Sequence, residues 1–372
     1  MNAFCVLFAD SYGYDSMEVN ELSNNRTLGS IPFGGRYRLI DFILSALVGA
    51  NVHNVGVVTR NKYGSLMDHV GWGKDWDLNR KNGGLKFLTP FSTNDSTGMV
   101  TNKIEAINSV MEYIKTSLPE YCILSDSNIV MNIDLKKFME FHEQKGADIT
   151  FAYKNLIPKK MELEVTLNDD GRLVDTMFHQ YASDKEVNIQ LDMVILKRDL
   201  LISLIEKGIT YGWYSLKKNV IANSFNDYKI YGYKVDGYVS QIKSLEDFYK
   251  TNMDLLNKEV RMELFHGKNH ILTRIKDSVP TMYGEDAKVT NSLVADGAKI
   301  DGCVENCIIF RDVVVKKGAV VKNSILMQGT IISENANLDC VITDTDVLVT
   351  EGKVLMGTNT MPFMINKGKI VE

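Results

Sequence analysis

The C-terminal quarter of the chain carries a six-residue period, a repeat that few folds accommodate. Gly, Asn, Asp and Lys fill many of the positions between the recurring apolar residues. This pattern is typical of a left-handed parallel β-helix, in which each hexapeptide forms one side of a triangular coil and points its apolar residue inward. A β-sandwich would instead alternate with period two and turn every ~8–12 residues. The two apolar ladders are Val315, Val321 and Met327, and Ala319, Ile325 and Ile331, with a weaker repeat after Ser333.

The first two-thirds of the chain alternate between short apolar runs and helical patterns. This alternation predicts an α/β fold, with a mainly parallel sheet covered by helices on both faces. Ligands of such sheets bind at the carboxyl ends of the strands. We predict an α/β domain over residues 1–258, a linker over 259–279 and the β-helix over 280–372. The predicted strands include Phe4–Ala9, Val55–Thr59, Tyr121–Ser125 and Ile149–Tyr153.

Composition narrows the classes of function. The net charge of -5 over 372 residues argues against a general nucleic-acid binder, although local basic clusters could still bind small phosphorylated ligands. The chain has no apolar run of ~18 residues and no basic leader, so we expect a cytoplasmic protein without a membrane partner. The five cysteines are too scattered for a disulfide framework, and Cys303 and Cys307 lack the further ligands of a zinc site.

One long motif resembles the signature of a known family. The segment Arg26–Phe42 is similar to the run Arg-Ala-Lys-Pro-Ala-Val-Pro-Phe-Gly-Gly-Lys-Tyr-Arg-Ile-Ile-Asp-Phe of ADP-glucose pyrophosphorylases (glucose-1-phosphate adenylyltransferases). Asn252–Leu256 and Ser278–Thr281 resemble further motifs of that family. The resemblance covers nearly the whole chain and implies a Rossmann-like nucleotidyltransferase domain followed by a left-handed β-helix. It also implies tetramers, and synthesis of ADP-glucose and pyrophosphate from ATP and glucose 1-phosphate with magnesium.

The phosphate loop departs from the family pattern. In the catalytic family it reads Leu-Ala-Gly-Gly-x-Gly-x-Arg, and its glycines let backbone N–H groups approach a triphosphate. Here the loop is Ala9–Asp15, with Asp10 and Ser11 in place of the paired glycines. Asp10 and Asp15 bring negative charge towards the triphosphate position, where two anions within ~4 Å repel by a few kcal/mol.

Both magnesium-binding positions of the family also differ. Ser127 replaces the Asp of the family's Ser-Gly-Asp-His, and Gln241 replaces the Asp of its Trp-x-Asp-Val-Gly-Thr. A hard cation prefers carboxylate oxygens, so neither replacement is suitable. Asp126 lies one residue early, and a one-residue shift in an extended chain points its side chain to the opposite face.

Two substrate lysines are missing as well. The family's Glu-Lys-Pro falls near His179–Tyr181, and Leu28 replaces the lysine of Arg-Ala-Lys-Pro. Five losses in one cleft resemble the GlgD-type companion subunit and not the catalytic GlgC type. The resemblance then implies that this chain has no catalytic residues, metal or cofactor of its own. Magnesium would serve a catalytic partner in a heterotetramer, with a homo-oligomer as the alternative when the chain is alone.

A basic cluster is retained. Arg36 and Arg38 match the basic positions of the Gly-Gly-Lys-Tyr-Arg motif, whose lysine in the family belongs to the site for anionic activators such as sugar phosphates. Arginine binds phosphate bidentately. Arg60 and Lys62 are candidates for the same cluster. The alternative for Arg38 is a purely structural pairing with Asp41 at a helix start.

Three functions remain open at this level. The first is a regulatory partner that assembles with a catalytic homologue. The second is an active nucleotidyltransferase with a rearranged site that uses Asp10 or Asp126. The third is a stand-alone protein that senses a sugar phosphate or nucleotide. The intact interface-type tail and the retained arginines favour the first function.

Overall fold

The chain folds into an α/β domain followed by a β-helix. The computed structural model describes residues 1–12, 20–60, 62–89 and 100–372; Asp15 of the sequence prediction lies outside these ranges. The helices are α1 (Asn20–Ser23), α2 (Leu39–Gly49), α3 (Gly64–Val70), α4 (Lys103–Ser109), α5 (Met111–Thr116), α6 (Leu135–Lys145), α7 (Arg198–Thr210), α8 (Leu245–Asp254) and α9 (Lys258–Phe265), with a π-helix at Lys217–Ala222.

A nine-stranded mixed sheet organises the α/β domain. Strand β1 lies at its centre, parallel to β4 on one side and to β6 on the other. The order is β10-β9-β11-β6-β1-β4-β5, and β8 joins β11 to β12. The strands of this domain are β1 (Ala3–Phe8), β2 (Pro32–Phe33), β3 (Tyr37–Arg38), β4 (Asn54–Val58), β5 (Gly84–Leu88), β6 (Tyr121–Asp126), β7 (Ile129–Met131), β8 (Ile149–Leu156), β9 (Leu163–Leu167), β10 (Leu173–Phe178), β11 (Val187–Lys197), β12 (Ile230–Lys234) and β13 (Val239–Gln241).

Both faces of this sheet are buried, as the alternation of strands and helices predicts. Successive side chains of β1 enter two different cores, because strand residues alternate between faces. Cys5 and Leu7 pack with α2 and α6, whereas Phe4 and Val6 pack with α4, α5 and α7. The predicted α/β fold is therefore confirmed.

The second part of the chain is a parallel β-helix of three sheets, which confirms the fold predicted from the hexapeptides. Asn and Asp residues with positive φ, such as Asn323 and Asp346, turn several corners, since their short polar side chains tolerate this conformation. The strands are β14 (Met282–Tyr283), β15 (Lys288–Thr290), β16 (Leu293–Val294), β17 (Lys299–Ile300), β18 (Cys303–Glu305), β19 (Ile308–Ile309), β20 (Val314–Val315), β21 (Val320–Lys322), β22 (Ile325–Leu326), β23 (Ile331–Ile332), β24 (Asn337–Asp339), β25 (Val341–Thr343), β26 (Leu348–Val349), β27 (Val354–Met356), β28 (Phe363–Ile365) and β29 (Ile370–Val371).

The predicted inward ladders were partly wrong. Val315, Val321 and Ala319 do lie inside the β-helix. Ile325 and Met327 instead point outward into a core shared with the α/β domain. Leu326 points inward there instead. In the next coil side, Ile332 points inward and the predicted Ile331 is half-buried. The sheet that contains β22 is apolar on both sides, so hydrophobicity alone does not identify its inner face.

The shared core joins the two domains. Ile308, Phe310 and Ile325 of the β-helix pack in one buried cluster with Phe33 and Phe42 of the α/β domain. A buried ion pair between the Arg26 guanidinium and the Asp344 carboxylate, 2.7 Å apart, adds a polar link. Between the domains, residues 266–281 contain no regular helix or strand. The predicted domain boundaries stay predictions. No helix within the described ranges is long and apolar enough to cross a bilayer.

The burial of His142 leads us to expect that the stability of the fold decreases at acidic pH. The His142 ring lies under Tyr121 and its Nδ1 is 2.7 Å from the Thr150 hydroxyl; burial lowers the pKa of His142 to about 4. Because the unfolded chain takes up this proton near pH ~6.5 and the folded chain does so only near its lowered pKa, stability falls as pH drops between these values. We expect about 2 kcal/mol of the loss between pH 7 and pH 5 to disappear in His142→Gln.

The measurement is urea unfolding of wild type and variant at pH 7 and pH 5. His266→Gln, at an exposed position, is the matched control and should keep the wild-type pH dependence. An unchanged pH dependence in His142→Gln would show that other groups cause the acid loss.

Candidate functional site

The carboxyl end of β1 is closed by its own side chains. Asp10 turns towards the segment after β4, where its Oδ2 accepts hydrogen bonds from the Arg60 backbone N–H (2.9 Å) and the Thr59 hydroxyl (3.2 Å). Burial raises the pKa of Asp10, and these hydrogen bonds act in the opposite direction. The carboxylate therefore serves as a loop clamp in this structure and does not point freely into the cleft.

Arg60 completes this closure. Its guanidinium donates to the Ser11 carbonyl at 2.6 Å and lies 4.0 Å from the centre of the Tyr12 ring. The prediction that Arg60 joins the cluster of Arg36 was wrong, because Arg60 is held at the loop after β1. Lys62 is exposed and, like Arg60, is absent from the described lining of the pocket that contains Arg36.

The two positions that the resemblance matches to the family's metal ligands, Ser127 and Gln241, hold buried neutral side chains. The Ser127 hydroxyl finds no hydrogen-bond partner among the described residues and packs beneath Gly29, so closely that a Cβ atom added to Gly29 would lie 2.8 Å from the Ser127 Oγ. The Gln241 amide donates to the Asp192 carboxylate at 3.4 Å. Neither residue offers the carboxylate that magnesium requires, so the residues present do not fit the family's metal. Within the described ranges, no group of three or more His, Cys, Asp or Glu side chains could hold a metal ion.

Ion pairs fill the space beside these positions. Lys103 Nζ lies 2.6 Å from Asp126, and Lys217 Nζ lies 2.9 Å from Asp192. None of these four side chains is more than 17% exposed. Two further pairs follow along the same side: Lys243 with Glu162 at 2.6 Å, and Lys159 with Asp247. Each of these ammonium groups has a carboxylate partner, so the cleft does not carry the excess positive charge that a phosphate needs.

The two carboxylates of this network respond to each other. Burial raises the pKa of Asp126 to about 6, with a further upward contribution from the Asp192 charge that Lys103 opposes. Burial also disfavours the ionised form of Asp192, but Lys217, Lys103 and Lys243 outweigh it and hold the pKa of Asp192 below its usual range. The lysines thus keep a carboxylate charged inside a buried site.

The positions of the missing substrate lysines are also occupied structurally. Leu28 is 6% exposed and packs in the core shared by the two domains. His179 bonds to Glu164 at 2.8 Å, and its backbone N–H donates to the Glu162 carbonyl. A lysine does approach this strand end from another segment, since Lys243 binds Glu162, but that carboxylate already neutralises it.

A basic pocket lies at the junction of the domains, with about 480 Å³ of space including its mouth. We call it the interdomain basic pocket. Five cationic side chains line it, together with His69, Gln328 and Thr345, and its described lining includes no carboxylate. The Thr345 hydroxyl is buried without a hydrogen-bond partner among the described residues. The cationic residues are Arg36, Arg38, Arg274, Lys276 and Arg311.

The charges in this pocket repel one another. Burial lowers the pKa of Lys276, and Arg311, Arg274 and Arg38 lower it further. Burial likewise lowers the pKa of Arg38 to about 10. Arg311 is paired with the Asp296 carboxylate at 3.0 Å, and the cationic side chains clustered around it suit an anionic group such as a phosphate or a carboxylate.

The Arg38 side chain also has a structural role. Its Nη1 donates to the Ser30 carbonyl and to the Ser65 hydroxyl, both at 2.6 Å. The predicted alternative, a pairing with Asp41, occurs through the Arg38 backbone N–H, which donates to the Asp41 carboxylate and fixes the start of α2. The other oxygen of Asp41 lies 2.6 Å from His69.

Sequence reasoning missed Asp192, Lys103 and Lys217 in the cleft, and Arg274, Lys276 and Arg311 in the pocket. These residues come from segments far apart in the chain and match no short motif. One sequence feature could have pointed to the pocket residues: Lys276 and Arg311 lie on either side of the first β-helix coils, close to the predicted junction of the domains.

A nucleotidyltransferase-type α/β domain joined to a hexapeptide β-helix is the class that this fold defines. A family model described as nucleotidyl transferase matches residues 19–161, and one described as GlmU-like, C-terminal hexapeptide matches residues 278–361. The chain is 33% identical to glycogen biosynthesis protein GlgD of Bacillus subtilis (strain 168), over 95% of this chain and 93% of that protein.

Two further relatives agree. Glycogen biosynthesis protein GlgD of Geobacillus stearothermophilus is 34% identical, over 94% of this chain and 92% of that protein. Glucose-1-phosphate adenylyltransferase of Clostridium perfringens (strain SM101 / Type A) is 30% identical, over 86% of this chain and 83% of that protein. The chain belongs to the family of glycogen biosynthesis protein GlgD and glucose-1-phosphate adenylyltransferase, which confirms the resemblance found in its motifs.

Proposed function

We propose that this chain is a non-catalytic, regulatory-type subunit of a glucose-1-phosphate adenylyltransferase that modulates a catalytic homologue during ADP-glucose synthesis for glycogen. The observation that carries the proposal is the cleft, where Lys103–Asp126 and Lys217–Asp192 ion pairs adjoin the neutral residues Ser127 and Gln241. The names of its relatives, which include both GlgD proteins and adenylyltransferases, support the pathway.

The ion pairs disfavour an active enzyme with a rearranged site. Asp10 is committed to the segment after β4, and Asp126 is neutralised by Lys103. Neither carboxylate is free to collect a magnesium ion in the way that phosphoryl transfer needs. In the proposed assembly, a heterotetramer, magnesium and both substrates bind to the catalytic partner.

The interdomain basic pocket supplies the proposed regulatory input. An anionic sugar phosphate bound there would contact the α/β domain through Arg36 and Arg38, and the β-helix through Arg311. A ligand shifts a partner's activity only when its binding differs between two states of the complex. A pocket whose walls belong to both domains is suited to such a difference, because relative movement of the domains changes its shape.

The proposal is tested by three assays of ADP-glucose synthesis: this chain alone, a catalytic homologue alone, and the two mixed. We expect no activity from the chain alone, and a changed activity or effector response in the mixture. Light scattering of the mixture measures assembly. Failure to assemble with the catalytic homologue would favour a stand-alone sensor, and turnover by the chain alone would favour an enzyme.

Arg36→Ala is expected to reduce the effector response of the mixed complex without changing its assembly. Arg36 is exposed and lines the pocket, so its removal is expected to cost little stability but to weaken phosphate binding. Couplings of this kind are typically ~5- to 150-fold in affinity. The measurement is titration of the mixed complex with glucose 6-phosphate and, separately, inorganic phosphate.

The matched control is Lys288→Ala, which removes one exposed positive charge from the β-helix outside the pocket lining. It should leave the titration curve unchanged. If Arg36→Ala and Lys288→Ala give the same curve as wild type, regulation enters through the partner's own site.

A further inference from the structure

Two buried carboxylates lie side by side in the cleft. Strands β6 and β11 are antiparallel, and Asp126 and Asp192 each lie one residue beyond the last pair of their ladder, Ser125 opposite Met193. The Asp192 charge raises the pKa of Asp126, and like charges brought close together in a sheet are destabilising. This pair therefore needs positive charge from outside the sheet.

That charge comes from two different helical segments. Lys103 is the first residue of α4, where Asn102 caps the helix, and its ammonium group also lies 4.8 Å from the centre of the Phe8 ring. Lys217 begins the π-helix and reaches Asp192. Each lysine approaches one carboxylate, and Lys103 and Lys217 both act electrostatically on both of them.

The side-chain amide of Gln241 lies next to Asp192. The Gln241 amide nitrogen donates to Asp192, while its Oε1 is buried and has no hydrogen-bond partner among the described residues. Two carboxylates and one amide oxygen are hard oxygen ligands of the type that a divalent cation accepts. The two ammonium groups occupy the electrostatic role that such a cation would otherwise fill.

We propose that Lys103 and Lys217 are built-in cations that replace a divalent metal in this cleft, and that Asp126, Asp192 and Gln241 form a latent divalent-cation site which these lysines keep closed. This inference rests on the proposed function, since a cleft closed in this way cannot use magnesium. The latent site includes Gln241 but not Ser127, so it differs from the family's pair of metal positions.

The test is Mn²⁺ binding to the full-length chain, measured by titration calorimetry and by the electron paramagnetic resonance signal of free Mn²⁺. Lys103→Met with Lys217→Met removes both positive charges and keeps the length of the side chains. We expect this double variant to bind one Mn²⁺ at least ~100-fold more tightly than wild type, because the repulsive charges are gone and two carboxylates remain. Its melting temperature should rise with Mn²⁺, and that of wild type should not.

The matched control combines the same two lysine changes with Asp126→Asn and Asp192→Asn. These four side chains then carry no charge, so the control should fold and should not gain the Mn²⁺ site. If the lysine double variant is unfolded without metal, recovery of its circular dichroism signal on addition of Mn²⁺ is the expected result, and no recovery would overturn the proposal.

Equal Mn²⁺ affinity in wild type and the double variant would also overturn it, as would equal affinity in the double variant and its control. These outcomes are separate from the proposed function, which fails instead if the wild-type chain turns over ATP and glucose 1-phosphate. An inactive wild type whose double variant ignores Mn²⁺ would retain the proposed function and remove this inference.

Discussion

Purified alone, the chain is expected to form ADP-glucose at least ~10⁴-fold more slowly than a catalytic homologue assayed beside it. The resemblance places Ser127 and Gln241 where the family has its two metal-binding carboxylates. Losing one group that stabilises the charge of a phosphoryl centre commonly costs ~10²-fold or more. The measurement is pyrophosphate release over hours at saturating ATP and glucose 1-phosphate. Turnover within about tenfold of the homologue would contradict the prediction.

Restoring the two metal positions should not restore activity. Ser127→Asp must place a carboxylate against Gly29, where the serine hydroxyl already packs tightly. Gln241→Asp adds a third carboxylate to a site already neutralised by Lys103 and Lys217. We therefore expect the double variant to remain within about tenfold of the wild-type background. The loop after β1 still lacks the glycines that bring backbone N–H groups to a triphosphate.

Removal of the β-helix is expected to leave an insoluble or largely unfolded α/β domain. Truncation before Ser278 exposes the core that Phe33 and Phe42 share with Phe310, and leaves Arg26 without its Asp344 partner. Breaking a buried ion pair from one side costs about 3–5 kcal/mol, which is a large part of the stability of a typical domain. Assembly is also expected to be lost. A truncated chain that is soluble and still assembles with a catalytic homologue would refute this.

A pair of point variants separates loss of the interface from a general effect of altering the β-helix. Phe310→Ala removes one buried ring from the shared core and should cost about 3–5 kcal/mol in urea unfolding. Met356→Ala changes a side chain that is 63% exposed on the last coil and should cost about 0.5 kcal/mol or less. Equal effects would mean that the two domains are stabilised independently.

The fold was largely predictable, because short stretches of the sequence are enough to indicate its strands and its coils. Runs such as Val55–Thr59 have the length and β-branched composition of buried strands, and the hexapeptide period specifies coils. The inner face of the coils was less predictable: Ile325 and Met327 are as apolar as Leu326, and only the packed α/β domain decides which of them face outward.

In the site, the sequence identified only those residues that replace members of a contiguous family motif. Ser127 and Gln241 stand at fixed places in recognisable segments. Asp192 and Lys217 form an ion pair through the sheet and the π-helix, a contact that neither residue's neighbours in the sequence indicate. Arg60 was misplaced for the same reason, because its position depends on the Tyr12 ring and the Ser11 carbonyl, which lie on a different strand end.

The burial of Leu28 has an evolutionary consequence. A lysine restored at this position would no longer meet a waiting phosphate, because it would enter the apolar core between the domains. Such a change removes a buried leucine, worth about 2–5 kcal/mol on truncation, and adds an ammonium group without a partner. A single change of Leu28 to lysine is therefore expected to destabilise the core between the domains, and the residues packed around position 28 would have to change with it.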